Sequence, residues 1–283
     1  MPPVRTPSFS DFYRGDLRAE IERFLARYAE PPPEAPPLVA AVVPHAGWRY
    51  SGGVAARTLK TLADRSAPSR VVLLGAVHRA PIASASVYAR GAWETPLGRL
   101  EVDAALAQEI LEGLGALVVD DPESHEDEHS IEVQTPFIAE FFPGVPILPV
   151  LVPPRREAPE LGRRLGQILR GRSSVVVGTT DLTHYGDVYG FAPAGCGEEA
   201  HRWMEENDRR ILDLAVRMEA EAIPEEARRH GNACGWGALA AAVACARELG
   251  ATRGTVVERT DSYRVEGRAD PFRMAVGYAG IVF

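Results

Sequence analysis

The chain has 283 residues, with 31 Lys and Arg against 39 Asp and Glu, a formal net charge of −8. That excess of acid argues against a nucleic-acid binder working by phosphate neutralisation. A hydrophobic fraction of 46% and a charged fraction of 25% exclude global disorder.

At about 150 residues per domain the length allows two domains or one large one. The longest uncharged, apolar-rich stretch, Gly231 to Ala246, is shorter than the roughly 20 residues that span a bilayer, so no membrane span is expected. The opening Met1-Pro2-Pro3-Val4-Arg5 has no apolar signal region. Three cysteines, Cys196, Cys234 and Cys245, cannot all pair within one chain. Together these features point to the cytoplasm and to free thiols.

In chain order, Leu17 to Tyr28 has helical spacing of Leu17, Ile21, Phe24, Leu25 and Tyr28. The run Pro31 to Pro37 ends it as a stiff spacer, so residues 1–37 are expected to form a helical extension and residues 38–283 an α/β domain. Four short apolar runs follow: Leu38 to Val43, Val71 to Leu74, Ile147 to Val152 (broken by Pro149) and Val175 to Gly178. Each has the length of a strand buried on both faces. Helices are expected at Val54 to Leu62, at Leu161 to Leu169 and from Cys234 to Leu249. A turn-rich meander is expected over Ser84 to Leu100, and late strands at Thr255 to Arg259 and Ala275 to Phe283. Strands alternating with helices predict one α/β domain around a mixed, mostly parallel sheet flanked by helices.

Ligands of open α/β sheets bind beyond the carboxyl ends of the strands. Three of the runs end within a few residues of a histidine: His45, His78 and His184. Parallel strands would bring all three to one edge. The competing reading is loop histidines bonded to nearby backbone. Cys234 lies at the start of the Ala-rich helix, where the helix dipole favours a thiolate; Cys245, farther along, fits a buried small residue and Cys196 a loop bystander. The sequence His125-Glu126-Asp127-Glu128-His129 matches the zinc-protease pattern H-E-x-x-H. Its turn-rich, acidic surroundings lack the apolar face such a helix needs, so the match is expected to be accidental. His129 keeps its interest as the start of a short helix. Asp181 and His184 would face the same way if their segment made one helical turn. The carboxylate would then orient the imidazole and raise its pKa, as suits a proton shuttle.

Several segments together resemble the Memo family: Pro44-His45-Ala46-Gly47-Trp48, Leu74-Gly75-Ala76-Val77-His78, Thr95-Pro96-Leu97-Gly98, Asp127-Glu128-His129-Ser130-Ile131-Glu132, Ile147 to Val152, Thr180-Asp181-Leu182-Thr183-His184-Tyr185-Gly186 and Ala233-Cys234-Gly235. The likeness runs from about Leu38 to Phe283. It implies a fold like that of the class III (LigB-type) extradiol dioxygenases, which hold non-haem iron with two histidines and a carboxylate. Carried over, the metal ligands are His45, His78 and Cys234; His184, with Asp181 beside it, is the acid/base histidine, and His129 is a further pocket histidine. The implied cofactor is a divalent ion, Fe(II) foremost, with zinc or copper as alternatives since a thiolate is a softer ligand than a carboxylate. The implied function is redox or dioxygenase-like chemistry on a small molecule that the sequence does not identify. Its rival is a peptide- or partner-binding module using the same pocket, and a zinc protease comes third. A radical-SAM protein, an AMMECR-like protein and a second copy of the chain are the implied partners.

Overall fold

The computed structural model describes residues 3–32, 34–79 and 81–283. Its strands are β1 (Val4–Arg5), β2 (Ala40–Val43), β3 (Arg70–Gly75), β4 (Ala85–Val87), β5 (Ala92–Thr95), β6 (Gly98–Glu101), β7 (Val118–Asp120), β8 (Ile147–Leu151), β9 (Ser174–Thr179), β10 (His184–Tyr185), β11 (Thr255–Asp261) and β12 (Ala275–Val282). Among the described residues they form two sheets. The larger runs β10-β12-β2-β9-β3-β8-β4-β7, with β11 also paired to β12, and the smaller runs β1-β5-β6.

The centre of the large sheet, β2-β9-β3-β8, is parallel. Its residues are apolar on both faces because helices cover both. Val71, Val72, Leu73 and Leu74 are wholly buried, each worth about 1.5–3 kcal/mol of transfer free energy. On the flanks, β12 runs antiparallel to β2 and β4 antiparallel to β8. Pro149 does not break its run. Its carbonyl accepts the Tyr88 N–H at 3.0 Å, so its own nitrogen faces the same side, where the short β4 ladder ends. No bond to β3 is lost. The expected meander is instead divided: β4 joins the large sheet, and β5 with β6 makes a hairpin in the small one.

One face of the sheet carries the helix Trp236–Glu248, in which Gly237 through Ala246 are all buried. Small side chains let it lie close to the helix Ala158–Leu169. A Cβ on Gly162 would stand 2.1 Å from the Ala241 carbonyl oxygen, so only glycine permits that crossing. The opposite face is covered by the helices Leu17–Leu25, Gly53–Asp64 and Thr135–Phe141, with Trp48 stacked on Phe137 at 4.0 Å.

Residues 4–13 are tied into the domain. β1 adds to β5 in parallel. The Arg5 side chain passes 4.3 Å over the Trp93 ring and forms an ion pair with Glu132 at 2.7 Å, at side-chain exposures of 4% and 1%. Glu132 also accepts from the Ser8 and Phe9 backbone N–H groups and from the Tyr13 hydroxyl. This segment therefore straps down the turn that leads into the short helix His129–Glu132.

Candidate metal centre

The parallel strands end side by side, and the segments leaving them build the site. β2 runs into Pro44-His45, β3 into Ala76-Val77-His78, and β9 between them into Thr180-Asp181. The start of the helix Trp236–Glu248 closes the floor. A Cβ on Gly235 would meet the Thr179 carbonyl oxygen at 2.3 Å, so glycine lets Cys234 approach the strand ends. Its backbone is fixed there by the Cys234 N–H on the Asp181 carbonyl, at 3.2 Å, and the Gly235 N–H on Thr180 Oγ1, at 3.0 Å.

His45 is buried, with Nδ1 3.1 Å from Thr179 Oγ1 and Nε2 3.1 Å from Cys234 Sγ. The His78 Nδ1 lies 2.9 Å from Glu128 Oε1. The rings of His45, His78 and His129 face one another, with centroids 4.6 to 5.5 Å apart. Potential ligand atoms of His45, His78 and His129 lie within 4.8 Å of one another, and so do those of His45, Asp181 and Cys234. His45 is common to both groups. Each group alone could hold an ion; the expected trio of His45, His78 and Cys234 is not itself such a group, because His78 belongs to the first and Cys234 to the second, with His45 between them.

These donors fit a divalent ion. Bonds of about 2.0–2.3 Å place neighbouring tetrahedral N and S ligands roughly 3.6 Å apart, so the 3.1 Å between His45 Nε2 and Cys234 Sγ would open by about half an ångström around an ion. The Nδ1 atoms of His45 and His78 are engaged behind the site, as ligating histidines require. Burial pushes the His45 imidazole well below its usual pKa, with His78 adding to the effect. Burial likewise brings His129 down to about 4. Both rings are therefore neutral, the form that ligates. The Cys234 thiol departs from expectation: it lies ahead of the helix, and burial and the Asp181 carboxylate drive its pKa up rather than down. A bound cation reverses that balance, since a coordinating thiol is deprotonated.

Asp181 and His184 do not act as the expected helical pair. Asp181 leaves β9 in an extended loop, and its Oδ1 accepts the backbone N–H groups of His45 and Ala46 at 2.8 and 3.2 Å. His184 belongs to β10 and stacks on Tyr189 at 5.2 Å. Burial lowers its pKa and outweighs the opposing pull of Asp181. Asp181 thus holds the His45 loop, and the His184 ring stands free to meet a ligand. Both line a cleft of about 400 Å³ with Phe12, His45, His78 and His129.

His125 lies elsewhere. It is buried against Tyr88 and Trp93, with Nε2 bonded to the Ser86 carbonyl at 3.1 Å. It is in a 3₁₀ turn and His129 in the next helix, so the two share no helix face and the protease pattern is accidental. Buried in the core, His125 serves the packing of this region. Sequence reasoning missed Glu128, which grips His78, and Phe12, whose ring lies 4.8 Å from that of His129. Glu128 had been legible only as part of an acidic run.

A family model described as Memo-like protein matches residues 8–282. The chain belongs to the Memo family. A MEMO1 family protein of Thermococcus kodakarensis is 36% identical over 99% of both chains, and one of Methanopyrus kandleri is 33% identical over 87% of this chain and 83% of its own. A solved structure, an uncharacterized protein of Escherichia coli K12, aligns with a TM-score of 0.53 at 15% identity, covering 85% of this chain and 99% of that one, which is a likeness of fold. The fold of this Memo-family chain is the expected single α/β arrangement, a mixed sheet flanked by helices. No helix among its described residues is long and apolar enough to cross a membrane.

Proposed function

We propose that this Memo-family protein holds one divalent ion, Fe(II) foremost, at His45, His78 and Cys234, and carries out redox or dioxygenase-like chemistry on a small molecule in the cleft. The observation that supports it is the engagement of both Nδ1 atoms, by Thr179 and Glu128, while His45 Nε2 stands 3.1 Å from the Cys234 sulfur. An ion there supplies a Lewis-acidic, redox-active point at the base of the cleft. His129 and His184, both neutral, accept or return protons from a ligand above it. Asp181 keeps the His45 loop in place through two backbone N–H groups. The binding-module reading has one observation in its favour: Tyr50, Tyr189 and Tyr278 line the cleft, a surface that would hold a partner's side chain without turnover.

Anaerobic purification with metal analysis tests the centre. Wild type is expected to carry about one ion per chain, and His45→Ala/Cys234→Ala to lose it. Cys245→Ala, buried away from the site, and His184→Ala are expected to retain it. Equal metal in wild type and the double variant overturns the reading. Oxygen uptake with a panel of catechols then separates turnover from binding alone.

A further inference from the structure

His45 and His78 are backed by different chemistry. Behind His45 stands a threonine hydroxyl, which donates or accepts and so permits either ring tautomer. Behind His78 stands the carboxylate of Glu128. Its Oε2 accepts the His78 backbone N–H at 2.7 Å. Its Oε1 lies 2.9 Å from His78 Nδ1, accepts the Ser130 N–H at 2.9 Å, and is 3.4 Å from His129 Nδ1. A carboxylate only accepts, so the ring nitrogen facing it carries the proton.

We propose that Glu128 is a positioning residue that fixes His78 as the Nδ1–H tautomer, leaving the Nε2 lone pair for the centre; the inference rests on the metal-centre reading above. Capping explains little of this side chain. It caps one N–H, that of Ser130, a task for which a short Ser, Asp or Asn is the usual choice. The length of glutamate is used to reach His78, fifty positions earlier in the chain. There it holds the same residue at backbone and ring, which fixes the ring's direction as well as its proton. The support is itself anchored: the Glu128 carbonyl accepts from Arg5 at 3.2 Å, and Arg5 is locked by Glu132. Each group bonded to the carboxylate is a donor. An amide in its place would turn an NH₂ against one of them. The least costly relief is a His78 ring whose Nδ1 accepts and whose Nε2 bears the proton, which blocks the ligand position.

The test uses the metal-free protein with ¹⁵N-labelled histidine rings, and zinc alone as a redox-silent probe. Wild-type His78 is expected to carry its proton on Nδ1. Glu128→Gln, folded by near-UV circular dichroism, is expected to lose that signature and to bind zinc about 10–100-fold more weakly. A merely structural role would change stability and leave the tautomer alone. Wild-type His78 found protonated on Nε2, or a folded Glu128→Gln that keeps both the tautomer and the zinc affinity, overturns the proposal. If the variant does not fold, the wild-type ring spectrum decides by itself. If wild type binds no metal, the metal-centre reading fails, and the tautomer in wild type and variant still decides the role of Glu128.

Discussion

Asp208 lies on the helix Glu198–Val216 and turns its carboxyl inward, where Oδ1 accepts the Thr183 N–H at 3.0 Å. It props the loop that carries His184. The space is tight: a Cβ on Gly277 would stand 2.2 Å from its Oδ2. Burial pushes its pKa up to about 7, against the hydrogen bonds from Thr183. An acid whose folded pKa lies above its unfolded value of 3.8 is held protonated by folding. Its contribution to stability is therefore fully present below about pH 4 and is lost as the pH rises towards about 7. A shift of about three units corresponds to roughly 4 kcal/mol. Asp208→Asn, neutral at every pH, is expected to gain stability relative to wild type by up to that amount between pH 4 and 8. Urea midpoints at several pH values measure it, and a difference that stays constant with pH would show that Asp208 ionises freely in the folded protein.

At the scale of elements, the segment 4–13 and the turn 125–132 hold each other. The Arg5–Glu132 pair is dry, so removing one partner strands the other charge. Glu132→Ala is expected to cost about 3–5 kcal/mol, read as a lowered denaturant midpoint. Replacing both residues by apolar side chains of similar volume is expected to recover much of the loss, a distinction that a solvent-exposed pair would not show. The pairing of Arg5 with Glu132 leaves no periodic trace in the sequence, because it joins residues far apart through side chains alone. The strands are different. Val71 to Leu74 and Val175 to Gly178 are contiguous apolar runs because both of their faces are buried, and so β3 and β9 were readable from composition. So was the placing of His45 and His78, since a residue that follows such a run falls at the strand's carboxyl end. The arrangement of Asp181 was not. Its spacing from His184 suits a helical turn, but β9 releases an extended loop, and the N–H groups that claim the carboxylate come from the His45 segment. Glu128 was equally hidden, because its partner is set by how the β3 loop folds back and not by the acidic residues around it.

Across the whole molecule, the sheet order interleaves early and late parts of the sequence. β9 lies between β2 and β3, and β12 lies against β2. The central pairings are thus of long sequence separation, which slows folding. On the proposed metal centre, refolding from urea is expected to bring zinc binding in the same phase as the sheet's far-UV signal, with no earlier zinc-competent species. An early fast phase of zinc uptake at full affinity would mean that the donors assemble before the sheet does.

The interleaving also bears on manufacture in the cell. A ribosome makes His45 and His78 long before it makes Cys234, and Tyr278 on β12 last among the residues that surround the cleft. Until β12 emerges, the edge of β2 that it covers lies bare, and the growing chain exposes an unpaired strand of Ala40 to Val43 to its neighbours. The architecture that brings distant side chains to one point thus leaves the nascent protein with an uncovered edge through most of its synthesis.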